Sequence, residues 1–185
     1  MIDLNMKKVN TIEYFYREDG MSEKENHFRY EENSIKVTTI EYKELSKNVF
    51  IGYINGEQHS VTTYNDNGDI IMKYVSGKIA LSASFKYCKH GISKLIKNNK
   101  EIEYFYDEDG IISVIRFNGD EDTDIIVEIF GNQLIYIDPK GDTYKTETYD
   151  KYGNVVYENH GTYYIEKEYN RKGLVTKSEM YSNVL

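Results

Sequence analysis

A tyrosine followed four residues later by a glycine recurs along this chain, and the recurrence constrains the fold more than any other feature. Such pairs are Tyr16/Gly20, Tyr64/Gly68, Tyr87/Gly91, Tyr106/Gly110, Tyr149/Gly153 and Tyr169/Gly173. Ile137/Gly141 fills the same place once more, and a degenerate unit is expected near Tyr42. The residues between are polar, and glycine supplies the positive φ that closes a tight turn. The spacing therefore predicts a run of hairpins.

The segments between these turns alternate with a period of two, as strands do. In the stretch TYYIEKEY, Tyr163, Ile165 and Lys167 share one face while Tyr164 and Glu166 share the other. Further hairpin turns are expected at the Asn-Gly and Ser-Gly pairs of residues 55–56, 76–77 and 118–119. The 19 Tyr and single Pro favour strands, and no segment has a helical period.

These patterns predict an all-β protein built as an antiparallel β-hairpin repeat array. We expect one repeat domain over residues 1–185, with degenerate units in 1–60 and clearer repeats in 61–185. Each hairpin has an apolar face that it cannot bury alone, so neighbouring hairpins must pack together. For seven or eight hairpins we expect an open curved sheet or a short β-solenoid.

Two stretches resemble a known repeat. TYDKYGNVVYENHGTYYIEKEYNRKGLVTKSE resembles the YD-repeat of the RHS family, and EYFYDEDGIISVIRFNGDED is also similar to MORN-variant repeats of antitoxin-like proteins. The resemblance is best over residues 101–119 and 145–182. It implies a β-hairpin scaffold and, through the antitoxin-like proteins, a role as an immunity protein or antitoxin that binds a bacterial toxin. It implies no catalytic residue.

Composition narrows the setting of the protein. The chain has 185 residues and a net charge of −8, its apolar runs are short, and its N-terminus has no apolar segment typical of a secretory signal. The single cysteine, Cys88, has no partner for an internal disulfide. We therefore expect a cytoplasmic protein that does not bind membranes.

Charge is distributed unevenly between two adjacent segments. Residues 69–100 carry a net charge of +6, whereas residues 101–142 carry −10. The two segments either neutralise each other across neighbouring hairpins or form a surface that attracts a charged partner. For the second case the predicted partner-binding residues are acidic: Asp107, Glu108, Asp109, Asp120, Glu121, Asp122 and Asp124. An alternative basic patch for nucleic acid comprises Lys86, Lys89, Lys94 and Lys97.

Candidate reactive groups are few. Asp120, Asp122 and Asp124 have the spacing of the first calcium-loop ligands, but Ile125 and Gly131 stand where that loop needs Gly and Glu, which favours an acidic hairpin loop. Cys88 lies two residues before His90, a weak thiol–base arrangement inside a predicted turn. The sequence therefore predicts no enzyme, no catalytic residue, no metal and no cofactor.

The resulting hypothesis is a non-enzymatic inhibitor that contacts its protein target directly. The target is either a toxin, as for an immunity protein or antitoxin, or a nucleic-acid-handling enzyme, as for a phage-encoded inhibitor of a host nuclease such as a CRISPR effector. Two alternatives stay open: a structural repeat protein without an inhibitory role, and nucleic-acid binding through the basic segment 73–100.

Overall fold

The computed structural model describes residues 6–32 and 34–182, which form sixteen antiparallel strands. The strands are β1 (Lys7–Tyr16), β2 (Ser22–Glu31), β3 (Ser34–Ser46), β4 (Val49–Ile54), β5 (Glu57–Tyr64), β6 (Ile70–Val75), β7 (Lys78–Cys88), β8 (Gly91–Lys97), β9 (Lys100–Tyr106), β10 (Ile112–Phe117), β11 (Asp120–Phe130), β12 (Gln133–Ile137), β13 (Thr143–Tyr149), β14 (Val155–Asn159), β15 (Tyr163–Tyr169) and β16 (Val175–Ser182). These residues include no helix long and apolar enough to cross a lipid bilayer.

Each strand pairs with its neighbours in sequence, and β1 also pairs with β16, so the sheet closes into a barrel. The seam is held by an ion pair between Lys8 and Glu179 and by Lys172, whose Nζ donates to the Glu18 carbonyl at 2.8 Å. The predicted all-β hairpin architecture is confirmed. The predicted open curved sheet or β-solenoid is wrong, because the first and last strands meet.

The up-and-down order places the turns at two rims of the barrel. The six tyrosine–glycine turns all follow odd-numbered strands and therefore lie at one end, which we call the tyrosine rim. Ile137/Gly141 follows β12 and lies at the opposite rim. Tyr157/Gly161, a further pair with the same four-residue spacing, also lies at the opposite rim.

The residue after the tyrosine builds the turn. The Asp150 Oδ1 accepts the backbone N–H groups of Tyr152 at 2.8 Å and Asn154 at 3.0 Å, while Gly153 adopts a φ of +85°. A side-chain oxygen accepting from the backbone two and four residues on is a property of Asp and Asn. This explains why both occur at that position in the repeat.

The tyrosine itself connects one turn to the preceding one. The Tyr106 hydroxyl donates to the Ile92 carbonyl at 2.7 Å, and the Tyr169 hydroxyl donates to the Val155 carbonyl at 2.6 Å. In both cases the acceptor lies just after the glycine of the preceding turn along the rim. The repeated tyrosine is therefore a link between hairpins.

Strand register identifies the interior face. Phe50 lies opposite Thr62, and Glu147 lies opposite Glu158. Register places Ile125, Val127, Tyr136 and Ser60 on the same face, and all eight side chains are buried. A sixteen-stranded barrel is wider than side chains can fill. The core is accordingly a set of local clusters along the interior face, the main one centred on Ile125, Val127 and Tyr136.

Candidate protein-binding site

The seven acidic residues predicted as a binding surface do not lie together. Residues 107–109 form the turn between β9 and β10 at the tyrosine rim, whereas residues 120–124 begin β11 at the opposite rim. The six residues of β10 separate them by about 20 Å. The seven residues thus form two separate acidic groups, which differ in how many of their carboxylates are paired with a cation or used within a turn.

The group at the opposite rim is partly neutralised by Arg116. The guanidinium donates from Nε to the Asp124 Oδ1 at 2.8 Å and from Nη2 to Oδ2 at 2.9 Å, and Nη1 lies 3.3 Å from the Glu121 Oε1. The hydrogen bond from Arg116 lowers the pKa of Asp124. Asp120 uses its Oδ1 to accept the Asp122 N–H at 3.0 Å. Asp124, a candidate third ligand of a calcium loop, is thus bound to a guanidinium.

The group at the tyrosine rim has exposed charge. The Asp107 Oδ1 accepts the Ile111 N–H at 2.8 Å, so this carboxylate shapes the turn. Glu108 and Asp109 occupy the middle of the turn and are exposed. The turn therefore presents two carboxylates to solvent, and it borders an apolar cavity.

An apolar groove opens at the tyrosine rim beside this acidic turn. The cavity has a volume of about 580 Å³, and Ile112, Ile129 and Leu134 contribute its aliphatic walls. Register explains the grouping, since Ile129 lies opposite Leu134 on the interior face. Glycines at three successive rim turns leave the mouth of the groove open: Gly110, Gly131 and Gly153.

Two exposed aromatic residues lie at the same rim, next in sequence to residues that line the groove. Phe130 follows Ile129 at the end of β11, where register places it on the outer face opposite Gln133, and Tyr152 precedes Gly153 in the turn after β13. Phe130 is 74% exposed, and Tyr152 is 77% exposed. Ile129, which lines the groove, is 51% exposed. Exposed aromatic side chains next to an apolar cavity are typical of protein-binding sites, where aromatic anchors supply much of the binding free energy.

The turn that carries Phe130 is fixed in place. Gly131 is the first residue of the two-residue turn and has a φ of +64°, the glycine position of a type II′ hairpin. The Asn132 Nδ2 donates to the Tyr149 carbonyl at 2.8 Å, and the Tyr149 N–H donates to the Asn132 carbonyl at 2.9 Å. Because the turn is anchored to β13, this wall of the groove is fixed in position, and a preformed groove lowers the entropic cost of binding any ligand.

The floor of the groove is polar, and hydrogen bonds fix the protonation states of its tyrosines and of Glu147. Tyr136 and Tyr149 each donate to the Glu147 Oε2 at 2.7 Å. Burial, followed by the hydrogen bond to Glu147, raises the pKa of both phenols. Burial by itself would raise the pKa of Glu147, but hydrogen bonds from Lys145 and the two phenols outweigh it and lower that pKa. At neutral pH Tyr136 and Tyr149 are therefore neutral phenols, and Glu147 beneath them is a carboxylate.

His90 closes one end of the groove by packing on the neighbouring turn. Its ring centroid lies 5.8 Å from that of Tyr106, and its Nδ1 lies 2.5 Å from the position a Cβ on Gly110 would occupy. Cys88 is exposed at the end of β7. The histidine of the suggested thiol–base pair thus supports the rim.

The four lysines of the alternative basic patch are dispersed. Lys86 and Lys94 lie opposite each other on the outer face, Lys97 lies on the interior face, and Lys89 lies in the turn between β7 and β8. The Lys94 Nζ lies 2.5 Å from the Glu101 Oε1 and 3.4 Å from a Glu103 oxygen. At this point the basic and acidic segments neutralise each other across adjacent strands.

Comparison with known protein families and with curated protein sequences yields no match for this chain. The groove therefore has to be interpreted from its own geometry. Sequence reasoning missed Phe130 and Tyr152. For Tyr152 a signal was present, since it stands directly before the turn glycine, where the other five tyrosine–glycine turns carry Asp, Asn, His or Lys. Phe130 gave no such signal, because Ile54, Val75 and Phe117 precede other two-residue turns.

Proposed function

We propose that this protein is a non-enzymatic inhibitor that binds a protein target through the groove at the tyrosine rim. The observation that supports this most directly is the apolar groove at a rim where Phe130 and Tyr152 are exposed, next in sequence to its lining residues Ile129 and Gly153. An anchored, aromatic-bordered groove of this kind binds an apolar side chain or short segment of a partner.

The acidic turn indicates the chemistry of the target. Glu108 and Asp109 are exposed beside the groove, and the chain as a whole carries a net charge of −8. A negative surface attracts a positive one and accelerates association. The target is accordingly a protein with an apolar anchor next to basic residues, as on the nucleic-acid-binding surface of a toxin or nuclease.

Two biological settings fit this proposal equally: an immunity or antitoxin protein, and a phage-encoded inhibitor of a host nuclease such as a CRISPR effector. Both place the protein in the cytoplasm with its target. Two alternatives remain: a structural repeat protein and a nucleic-acid-binding protein. The molecules that the protein captures from cells distinguish them.

The test is an affinity capture from cells that carry this gene, with wild-type protein and a Phe130→Ser/Tyr152→Ser variant as paired baits. Tyr144→Ser serves as the control, because Tyr144 is 56% exposed but lies at the start of β13, near the opposite rim. Any captured protein is then purified, and its affinity for each bait and its inhibition are measured.

We expect capture of a toxin or nuclease that the wild-type protein inhibits. Loss of both aromatic side chains should weaken binding by at least about thirtyfold, since one such anchor contributes about 2 kcal/mol or more, and by several hundredfold if the two contributions add. The Tyr144→Ser protein should bind as wild type does. Equal binding by all three baits would contradict the groove as the binding site. Recovery of only further copies of the protein itself would favour a structural repeat protein. Recovery of nucleic acid would favour a nucleic-acid-binding protein.

A further inference from the structure

A second cavity lies on the interior face near the opposite rim, far from the groove. It has a volume of about 720 Å³ and is bounded by residues from β1 to β5. A volume of this size is typical of small-molecule sites. The cavity and the groove lie on different strands, so the two can be altered independently.

The residues that line this cavity are basic or neutral. Arg29, Lys36, His27 and His59 contribute to the lining, and among the described residues that line the cavity none is acidic. The chain contains 31 acidic and 23 basic residues, so a lining without any carboxylate departs from its composition. The cavity therefore concentrates positive charge within an acidic protein.

The central pair of cations is short of negative partners. Arg29 and Lys36 lie directly opposite each other on β2 and β3, an arrangement of like charges that destabilises a sheet. They share one carboxylate, since the Glu31 Oε1 lies 2.8 Å from the Lys36 Nζ and 4.0 Å from the Arg29 Nε. The Arg29 and Lys36 side chains are 78% and 69% exposed, so both are accessible to a ligand.

The other polar groups add hydrogen-bond donors around the same space. Asn10 and Thr38 line the cavity with an amide and a hydroxyl. Thr38 lies opposite His27, whose Nε2 is 2.8 Å from the Glu25 Oε2. Guanidinium, ammonium, amide and hydroxyl donors around one space form a suitable environment for a phosphate group.

Part of the wall is apolar. Val9, Ile40 and Ile54 line the cavity beside the basic residues. A bare inorganic anion would leave this surface in contact with water, whereas a ligand with an uncharged organic portion would cover it. We infer that this cavity binds a small organic phosphate, with Arg29 and Lys36 contacting the phosphate and the aliphatic wall contacting the organic portion.

The inference is tested by isothermal titration calorimetry of the full-length protein at low ionic strength, with adenosine monophosphate and inorganic phosphate as separate probes. The variants are Arg29→Gln and Lys36→Met, and circular dichroism checks that each is folded. Lys43→Met is the matched control, because it removes the same charge from the same strand but from the outer face.

We expect saturable binding of adenosine monophosphate and weaker binding of inorganic phosphate. Each cavity variant should weaken nucleotide binding by about tenfold or more, as expected for a hydrogen bond to a charged group. Lys43→Met should change the affinity less than twofold. Absence of saturable binding to either probe would overturn the inference, and so would an equal loss in the Lys43→Met protein, which would indicate diffuse charge attraction. Equal affinity for the two probes would overturn the role of the apolar wall.

Discussion

The charge cluster on the interior face of β13 to β15 allows a quantitative test of what stabilises the barrel. Glu147 and Glu158 lie opposite each other, and each side chain is only 11% exposed. Lys145 forms an ion pair with Glu147, and its Nζ lies 3.4 Å from the Glu158 Oε2. Lys167 forms an ion pair with Glu158 and with no other carboxylate in the described part of the chain. Lys145 is therefore the cation shared by both carboxylates.

The perturbation is Lys145→Met, which keeps a long side chain and removes the ammonium group. A charge pair 3.4 Å apart attracts with about 5 kcal/mol at an effective dielectric constant of about 20. That figure is an upper bound, because removing the charge also removes the desolvation cost of Lys145. Breaking a buried ion pair typically costs about 3–5 kcal/mol. Since Lys167 still neutralises Glu158, we expect a loss near 3 kcal/mol in the free energy of unfolding.

The loss should depend on pH with a definite sign. In the wild-type protein the hydrogen bonds to Glu147 hold its pKa below the ordinary 4.5 despite burial. Such a carboxylate contributes stability above its ordinary pKa and loses that contribution as the pH falls through the lower folded value. Without Lys145 the opposing effect of burial raises the pKa of Glu147, and protonation then relieves the repulsion from Glu158. The loss caused by Lys145→Met should therefore shrink between pH 7 and about pH 4.

Urea denaturation followed by circular dichroism, at both pH values, measures this effect. A double-mutant cycle of Lys145→Met and Glu147→Gln isolates the interaction between these two side chains, and the coupling free energy should exceed about 1 kcal/mol. Lys47→Met is the control, since Lys47 and its partner Asp66 are 83% and 82% exposed, and we expect no resolvable change. The reasoning is refuted if Lys145→Met costs no more than Lys47→Met, or if its cost is the same at both pH values.

Three further substitutions test the rims and the seam. Gly110→Ala should lower the melting temperature more than Gly56→Ala. Both glycines have a positive φ, but only at Gly110 does a side chain, His90, occupy the space of the new methyl group. An equal decrease in melting temperature for the two variants would contradict this. Asp150→Ala should lower the melting temperature whereas Asp150→Asn should not, because only Ala lacks the oxygen that accepts the turn N–H groups. Lys8→Met should accelerate hydrogen exchange in β16 more than in β8, and uniform exchange would contradict a role at the seam.

The turns could be predicted from sequence because their determinants are local. A tyrosine, an Asp or Asn, two further residues and a glycine are enough to specify each bend, as the contacts of Asp150 and Gly153 demonstrate. Closure could not be predicted in the same way. The ion pair between Lys8 and Glu179 joins residues 171 positions apart, and no local period contains information about that contact.

The net charge of a segment does not predict the charge of a surface in this protein, because opposite charges pair between strands. Arg116 lies on β10 and binds Asp124 on β11, and Lys94 on β8 pairs with Glu101 and Glu103 on β9. Neighbours in a sheet are set by register, so a segment's net charge does not give the charge of a surface. A sum over each face of the sheet would have been the better sequence-level estimate, and it requires a register that sequence alone leaves open.

The residues of the repeat divide into those that form the turns and those that vary between turns. Asp107 and Asp150 use their carboxylates to form turns, and the glycines satisfy backbone requirements, so these residues would be needed in any turn of this type. Phe130 and Tyr152 do nothing comparable for the turn, yet they leave large aromatic surfaces in water. An exposed aromatic side chain without a structural role gains from a partner that covers it. This is why the binding site proposed above includes these residues and Glu108, whose charge the turn does not use.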